Sequence, residues 1–216
     1  MTAPQATPPA TRPTQVYFDF LCPFAWRGVE LADVLRRERG LPFRLRHYSL
    51  LQGNHPENPD RKAPTWWLHE QPAEGGNAAQ QASLRAFLAA QAAARQGEGA
   101  AWAFTLALFR AKHERQSELD EQTVRVAARE AGLDLTRFED DLADDRTLRE
   151  ALAAELRDAA ALGVFGTPTF VLPDGNAAYL RFSGLIREAQ AAQALWNLYG
   201  EVLHSGAGIE TIKRPR

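Results

Sequence analysis

The segment that decides the fold is VYFDFLCPFAW, which occupies residues 16–26 near the start of the chain. Residues 16–20 are aromatic and β-branched and follow a stretch rich in proline and threonine, which predicts a first strand. From Phe24 to Arg39 apolar residues recur at helical spacing, and Gly40 ends the pattern. Pro23 then stands at the first helical position, where its missing N–H leaves no bond unmade. The segment therefore predicts a strand that leads directly into a helix.

The rest of the chain extends this start into a mixed α/β fold. Residues 43–50 alternate between apolar and polar side chains and predict a second strand, so the chain begins as a βαβ unit with a parallel pair. An irregular, proline-rich segment at 52–76 precedes a strongly helical block at 77–161. A hairpin over 169–182 and a last helix over 187–203 complete the pattern. We expect a four-stranded sheet with helices on both faces.

Composition excludes several classes of protein. The 216 residues carry a formal net charge of −2, whereas nucleic-acid-binding domains are usually strongly basic, so we expect no nucleic-acid partner. No stretch reaches the roughly 18 apolar residues needed to span a bilayer. The single cysteine, Cys22, rules out an intramolecular disulfide and a disulfide-stapled secreted scaffold. Residues 1–15 lack the apolar core of a signal peptide, which predicts a cytoplasmic protein with a disordered leader.

Cys22 is the strongest candidate for a chemical role. It follows the first strand and precedes Pro23, so it lies near the N-cap of the first helix. Unpaired backbone N–H groups converge there and the helix dipole adds about half a positive charge, which favours a thiolate over a thiol. Lone cysteines are more often small buried apolar side chains. Position alone leaves both interpretations open.

A second motif, GVFGTPTF at residues 163–170, places Pro168 immediately before a predicted strand. Proline cannot stand inside a central strand, but it can begin one or hold a cis peptide bond in a tight turn. Taken alone, the motif is as well explained by a simple break between helix and strand.

Together the two motifs, in this order, resemble the DsbA family of the thioredoxin superfamily, and the resemblance covers residues 15–204. It implies an α/β thioredoxin-like fold with a helical insertion between the βαβ and ββα halves. It implies that Cys22 is the catalytic, attacking sulfur and that the proline of the second motif is cis and lies beside it. It also implies backbone contacts with an extended substrate peptide. The substrate-binding residues implied are Pro23, Phe24, Thr167 and Pro168.

The resemblance also suggests how the chain is divided. We predict a disordered leader (1–14), the N-terminal half of the thioredoxin-like fold (15–52), the helical insertion (53–161), the C-terminal half (162–204) and a tail (205–216).

One position departs from the family pattern. The family's second, resolving cysteine is replaced by Ala25, and the chain has no other thiol to substitute for it. A mixed disulfide on Cys22 then has to be resolved by an external thiol. We therefore predict a monothiol oxidoreductase with a thiol or disulfide substrate, a low-molecular-weight thiol as co-substrate and no tightly bound cofactor. Oxidation of Cys22 to sulfenic acid in a peroxide sensor is a further interpretation.

Two alternatives share the scaffold. Kappa-class glutathione transferases and 2-hydroxychromene-2-carboxylate isomerases have Ser-Pro-x-Ser where this chain has residues 22–25, and they activate the thiol of glutathione. The lack of a resolving cysteine favours them slightly, as does the segment Asn58–Lys62, which is a candidate site for an anionic thiol cofactor. The other alternative is a non-catalytic module that holds extended peptides at Thr167 and Pro168.

Other conspicuous residues give weaker indications of function. The five histidines show no metal-ligand spacing, so we predict no metal site. Trp66 and Trp67 either line a groove over Cys22 or anchor the insertion on the sheet, and anchoring is favoured because aromatic side chains more often pack than bind. Asp19 either relays a proton to Cys22 or simply ends the strand.

Overall fold

The structure, a computed structural model, describes residues 12–75, 77–204 and 208–209. The predicted leader up to residue 11 and nearly all of the predicted tail lie outside the described residues. A four-stranded sheet has the strand order β2-β1-β3-β4. Its strands are Thr14–Phe18 (β1), Phe43–His47 (β2), Thr169–Val171 (β3) and Ala177–Tyr179 (β4).

The register of the sheet follows the predicted topology. β1 runs parallel to β2, with Val16 opposite Leu45, and antiparallel to β3, with Val16 opposite Phe170. β3 and β4 form the predicted antiparallel hairpin, with Phe170 opposite Ala178. The parallel pair is joined through helix α1, Pro23–Arg39, as a βαβ crossover requires.

Both faces of the sheet are covered, because successive side chains of β1 point to opposite faces. Val16 and Phe18 belong to the main hydrophobic core, which α1 and the insertion share. Tyr17 points the other way and packs with Ala159 and Val164 in a smaller cluster. The sheet is therefore covered on both faces at β1.

Within the predicted helical block, one helix ends and the next begins near Gly97, Ser117, Gly132 and the pair 144–145. Most of these helices begin at a side chain that accepts a backbone N–H, as Asp120 does from Thr123. The remaining helices are Leu50–Gly53 (α2), Ala78–Ala94 (α3), Glu98–His113 (α4), Glu121–Glu130 (α5), Leu135–Ala143 (α6), Asp145–Leu162 (α7) and Ala189–His204 (α8), with a short 3₁₀ helix at Leu68–Glu70.

The strand boundaries differ from the prediction for identifiable reasons. β1 ends at Phe18 rather than residue 20, because Asp19 turns the chain by accepting the N–H of Leu21. β2 ends at His47 rather than residue 50, because Ser49 caps the short helix α2. Within the described parts of the chain, no helix combines the length and apolarity that crossing a bilayer requires.

Candidate active site around Cys22

Cys22 is the N-cap residue of α1. Its backbone is extended, with φ −96° and ψ 114°, and its Sγ accepts the N–H of Ala25 at 3.4 Å. The Cys22 N–H donates to the Asp19 carbonyl at 3.0 Å, and the Cys22 carbonyl accepts from Trp26 at 3.2 Å as the first bond of the helix. The Cys22 sulfur thereby accepts one N–H of the first turn that has no acceptor within the helix itself.

The second motif meets the sulfur. The Thr167–Pro168 peptide bond is cis, and the Thr167 carbonyl oxygen lies 3.4 Å from Cys22 Sγ, within reach of a thiol hydrogen. α1 approaches this loop closely because Gly28 has no side chain: a Cβ there would lie 2.5 Å from Pro168 Cγ. The two motifs, 145 residues apart in sequence, thus form one site.

The loop leaves hydrogen-bonding groups at the site without partners. In the described part of the chain, no acceptor for the Thr167 N–H is found, and the buried Thr167 hydroxyl has none either. Cys22 itself is 7% exposed, so the residue is nearly buried. Backbone groups in such a position suit the addition of a short extended segment.

Asp19 ends the strand and organises the loop that leads to Cys22. Its side chain is fully buried, with one carboxyl oxygen 2.9 Å from the Leu21 nitrogen and the other 2.7 Å from the Leu50 nitrogen. Burial raises the pKa of Asp19 to about 6, against the opposing effect of these two N–H donors and of His47. Both oxygens accept backbone N–H groups, so the geometry supports the interpretation that Asp19 terminates the strand and orders the loop.

Phe24 lies on the first turn of α1 between two arginines. The guanidinium carbon of Arg181 is 4.5 Å from the centroid of the Phe24 ring, and that of Arg27 is 5.4 Å from it. Both distances are typical of cation–π contacts. Phe24 is partly exposed and Pro23 is exposed, so both face the solvent side of the site.

The structure adds a neighbour that sequence reasoning missed. The indole of Trp26 stacks on His113 of α4, with ring centroids 5.6 Å apart. His113 Nε2 donates to the Phe20 carbonyl at 2.8 Å, and burial lowers the pKa of His113. His113 thereby ties the insertion to the loop before Cys22. The sequence placed His113 within the predicted helical block and gave no signal of this contact.

The segment Asn58–Lys62 has a structural role. The Asn58 amide group donates to the Gln52 and Trp66 carbonyls, while its oxygen accepts from Thr65 and Trp66. No hydrogen-bonding capacity of this side chain is left for a cofactor. Lys62 lies instead against Gly163, where the loop to Thr167 begins.

Both tryptophans of the segment before the insertion helices are partly buried against the main core. Trp66 also stacks on His55, with ring centroids 4.1 Å apart. These contacts favour anchoring over a groove at Cys22. Among the described residues, no group of three or more histidine, cysteine, aspartate or glutamate side chains is placed to hold a metal ion.

Comparison with known proteins identifies the fold family. The family profile described as a DSBA-like thioredoxin domain matches residues 14–196. The chain belongs to this family. The predicted resemblance and the predicted thioredoxin-like α/β fold are confirmed, and membership of this family bears out the expectation of an enzyme of the thiol–disulfide oxidoreductase kind. No curated protein sequence matches the chain.

Solved structures similar to this DSBA-like domain share its fold at low identity. A 2-hydroxychromene-2-carboxylate isomerase aligns with a TM-score of 0.58 at 17% identity, covering 93% of this chain and 100% of its own. A probable DsbA oxidoreductase from Streptomyces coelicolor aligns with a TM-score of 0.56 at 20% identity, covering 94% and 93%. The cytosolic disulfide reductase DsbM from Pseudomonas aeruginosa aligns with a TM-score of 0.57 at 20% identity, covering 88% and 100%.

Proposed function

We propose that this DSBA-like domain is a thiol–disulfide oxidoreductase that works through Cys22 alone. The observation that carries the proposal is the position of the Cys22 sulfur, which caps α1 through the Ala25 N–H and lies 3.4 Å from the Thr167 carbonyl. The Ala25 N–H donates to the sulfur, which favours a thiolate. The Thr167 carbonyl accepts from the protonated thiol and brings the sulfur to the loop along which a substrate segment would run.

The cycle has two exchange steps. The Cys22 thiolate attacks one sulfur of a substrate disulfide, a Cys22–substrate disulfide forms, and the other substrate sulfur leaves as a thiolate. An external thiolate then attacks the substrate sulfur of that mixed disulfide and releases the Cys22 thiolate. The external thiol is needed because Ala25 stands where a resolving cysteine would be, and the sequence contains no second cysteine.

The proposed substrate-binding residues are Pro23, Phe24, Thr167 and Pro168. The free N–H of Thr167 would donate to an extended substrate segment, with Pro168 shaping the loop beneath it. Pro23 and Phe24 form the partly exposed rim on the side of the helix.

A low-molecular-weight thiol of the glutathione kind is the proposed co-substrate, and the cytoplasm is the proposed compartment. The similar structure of DsbM is described as a cytosolic disulfide reductase and has been solved with GSH. A chain with one cysteine also depends on a compartment rich in reduced small thiols, because nothing else can regenerate Cys22.

Intact-mass measurement tests the proposal directly. Incubation with oxidised glutathione should add one adduct of about 305 Da, and a reductant should remove it. Cys22→Ser should show no adduct. An unchanged mass of the wild-type protein after incubation with oxidised glutathione would remove the basis of the proposal.

The second candidate is a thiol-binding isomerase or transferase, favoured by the alanine in place of a resolving cysteine. Such an enzyme binds reduced glutathione as cofactor, so calorimetry should show saturable binding that survives Cys22→Ser. No binding to the Cys22→Ser variant would exclude it. A peptide-binding module without catalysis would instead bind extended peptides equally well before and after alkylation of Cys22.

A further inference from the structure

The Cys22 site is bordered by two arginines whose charge no carboxylate of the described residues neutralises. Arg27 and Arg181 flank Phe24, and neither forms an ion pair within the described parts of the chain. Further along the same helix the situation is different, since Glu30 pairs with both Arg110 and Arg187. An uncompensated pair of cations beside a reactive sulfur calls for a specific explanation.

A closed path of contacts places Arg181 at the rim of this site. Cys22 Sγ lies 3.4 Å from the Thr167 carbonyl, and the next carbonyl, that of Pro168, accepts the N–H of Leu180 at 3.1 Å. Arg181 follows Leu180 directly and covers Phe24, which is two residues from Cys22 on α1. All of these contacts lie within the Thr167–Pro168 loop, the β3–β4 hairpin with the residues that follow it, and the first turn of α1.

Both guanidinium groups are held in place yet keep free donors. Arg27 Nη1 donates to the Phe182 carbonyl at 2.8 Å, and Arg181 Nε donates to the hydroxyl of Tyr179. The other N–H groups of the two arginines have no acceptor among the described residues. Guanidinium groups that are positioned in this way, with N–H groups to spare, suit a carboxylate, which accepts paired hydrogen bonds from them.

We infer that Arg27 and Arg181 form a carboxylate-recognition subsite, so that the enzyme prefers disulfides and thiols that carry a carboxylate close to the sulfur. The inference rests on the proposed function, because it names the substrate class of the same Cys22 site. The chemistry at sulfur is unchanged: the Cys22 thiolate displaces one thiolate of a disulfide, and the arginines hold the carboxylate of the half that becomes bound.

The test compares three small disulfides of different charge. Oxidised glutathione carries more carboxylates than ammonium groups, hydroxyethyl disulfide is uncharged, and cystamine carries only ammonium groups. Second-order rate constants for modification of Cys22 are measured by intact mass at low salt. Each rate constant is corrected for the intrinsic reactivity of the disulfide with a free thiol. For the wild-type protein we expect the corrected rate constants to decrease from glutathione disulfide to hydroxyethyl disulfide to cystamine.

Variants then localise the effect. Arg181→Gln should lower the ratio of the glutathione to the hydroxyethyl rate constant by about fivefold, the size expected for one charge pair at contact distance in a solvated site. Arg27→Gln should lower the same ratio, and Arg181→Lys should retain most of it. Arg44→Gln is the matched control, because it removes the same charge from an exposed residue of β2 that forms no ion pair with any described residue. Added salt should lower the ratio of the glutathione to the hydroxyethyl rate constant in the wild-type protein.

The outcomes separate this inference from the proposed function. If Cys22 reacts with all three disulfides at corrected rates independent of charge, the subsite is refuted while the exchange chemistry stands. If Arg44→Gln lowers the ratio as much as Arg181→Gln, net charge alone explains the preference and the subsite is again refuted. If Cys22 reacts with none of the three, the proposed function fails first.

Discussion

The contact between Gly28 and Pro168 makes the sharpest prediction about what holds the site together. A Cβ added at Gly28 would lie 2.5 Å from Pro168 Cγ and 2.6 Å from Pro168 Cβ. Carbon atoms in van der Waals contact are about 3.5–4.0 Å apart, so either α1 or the loop has to move by about 1 Å. That movement opens the gap between Cys22 and Thr167, since the two contacts lie on the same pair of elements.

The expected change in the free energy of unfolding follows from two opposing effects of Gly28→Ala. Alanine in a helix interior is favoured over glycine by about 1 kcal/mol, whereas an extra carbon in a packed core costs about 1–3 kcal/mol. Gly200→Ala is the matched control, because Gly200 lies inside α8 and a Cβ there would meet nothing closer than 4.0 Å. We therefore expect Gly28→Ala to be about 2 kcal/mol less stable than Gly200→Ala.

Urea unfolding and exchange kinetics measure the two consequences of Gly28→Ala. The free energies of unfolding of the two variants give the packing term directly, because the helix-propensity gain cancels between them. A displacement of about 1 Å at a reacting group lowers rates by up to about 100-fold, so formation of the glutathione adduct should slow by at least tenfold in Gly28→Ala. Equal stability of both variants, with the adduct forming at the wild-type rate, would refute this account of the site.

Three further perturbations have definite expected outcomes. Ala25→Cys should convert the mixed disulfide into a transient species, since the introduced thiol attacks Cys22, releases glutathione and leaves no adduct in the intact mass. Glu30→Gln should lower the free energy of unfolding by about 2 kcal/mol at pH 7 and by less at pH 3. Two arginines lower the pKa of Glu30 despite its burial, so the stabilisation by Glu30 is present above the ordinary carboxyl pKa and is lost as pH falls. The raised pKa of Asp19, about 6, means that folding favours its protonated form, so stability is greatest below the ordinary pKa and falls as pH rises through 6. Urea titrations should show the wild type losing about 3 kcal/mol relative to Asp19→Asn between pH 3 and 7, and parallel pH profiles would contradict the burial of that charge.

The elements that the sequence predicted well are those with a local cause. α1 depends on Pro23 at its first position and on Gly40, which adopts a left-handed φ of 65° after the last turn. The helices of the insertion end at residues that break periodicity locally. Strand ends were less predictable, because the Asp19 carboxylate at the end of β1 accepts the N–H groups of both Leu21 and Leu50, and no pattern within residues 14–20 predicts these bonds.

The same distinction explains the site. Cys22 and Pro168 were predictable because each stands in a short motif with a local backbone reason. Arg181 and His113 reach the site only through tertiary contacts, the first over Phe24 and the second under Trp26. Their residue types are common in solvated positions, and nothing in their sequence neighbourhood distinguishes them from the other arginines and histidines of the chain.

The missing second cysteine changes what limits the proposed cycle. With a neighbouring thiol, attack on the mixed disulfide is intramolecular and outpaces any thiol in solution. With Ala25 in that place, the lifetime of the mixed disulfide is set by how often an external thiol reaches a cysteine that is only 7% exposed. Uncompensated positive charge at this rim raises the local concentration of anionic thiols as well as anionic disulfides. The subsite inferred for the substrate therefore also speeds the second step, and one pair of arginines serves both halves of the cycle.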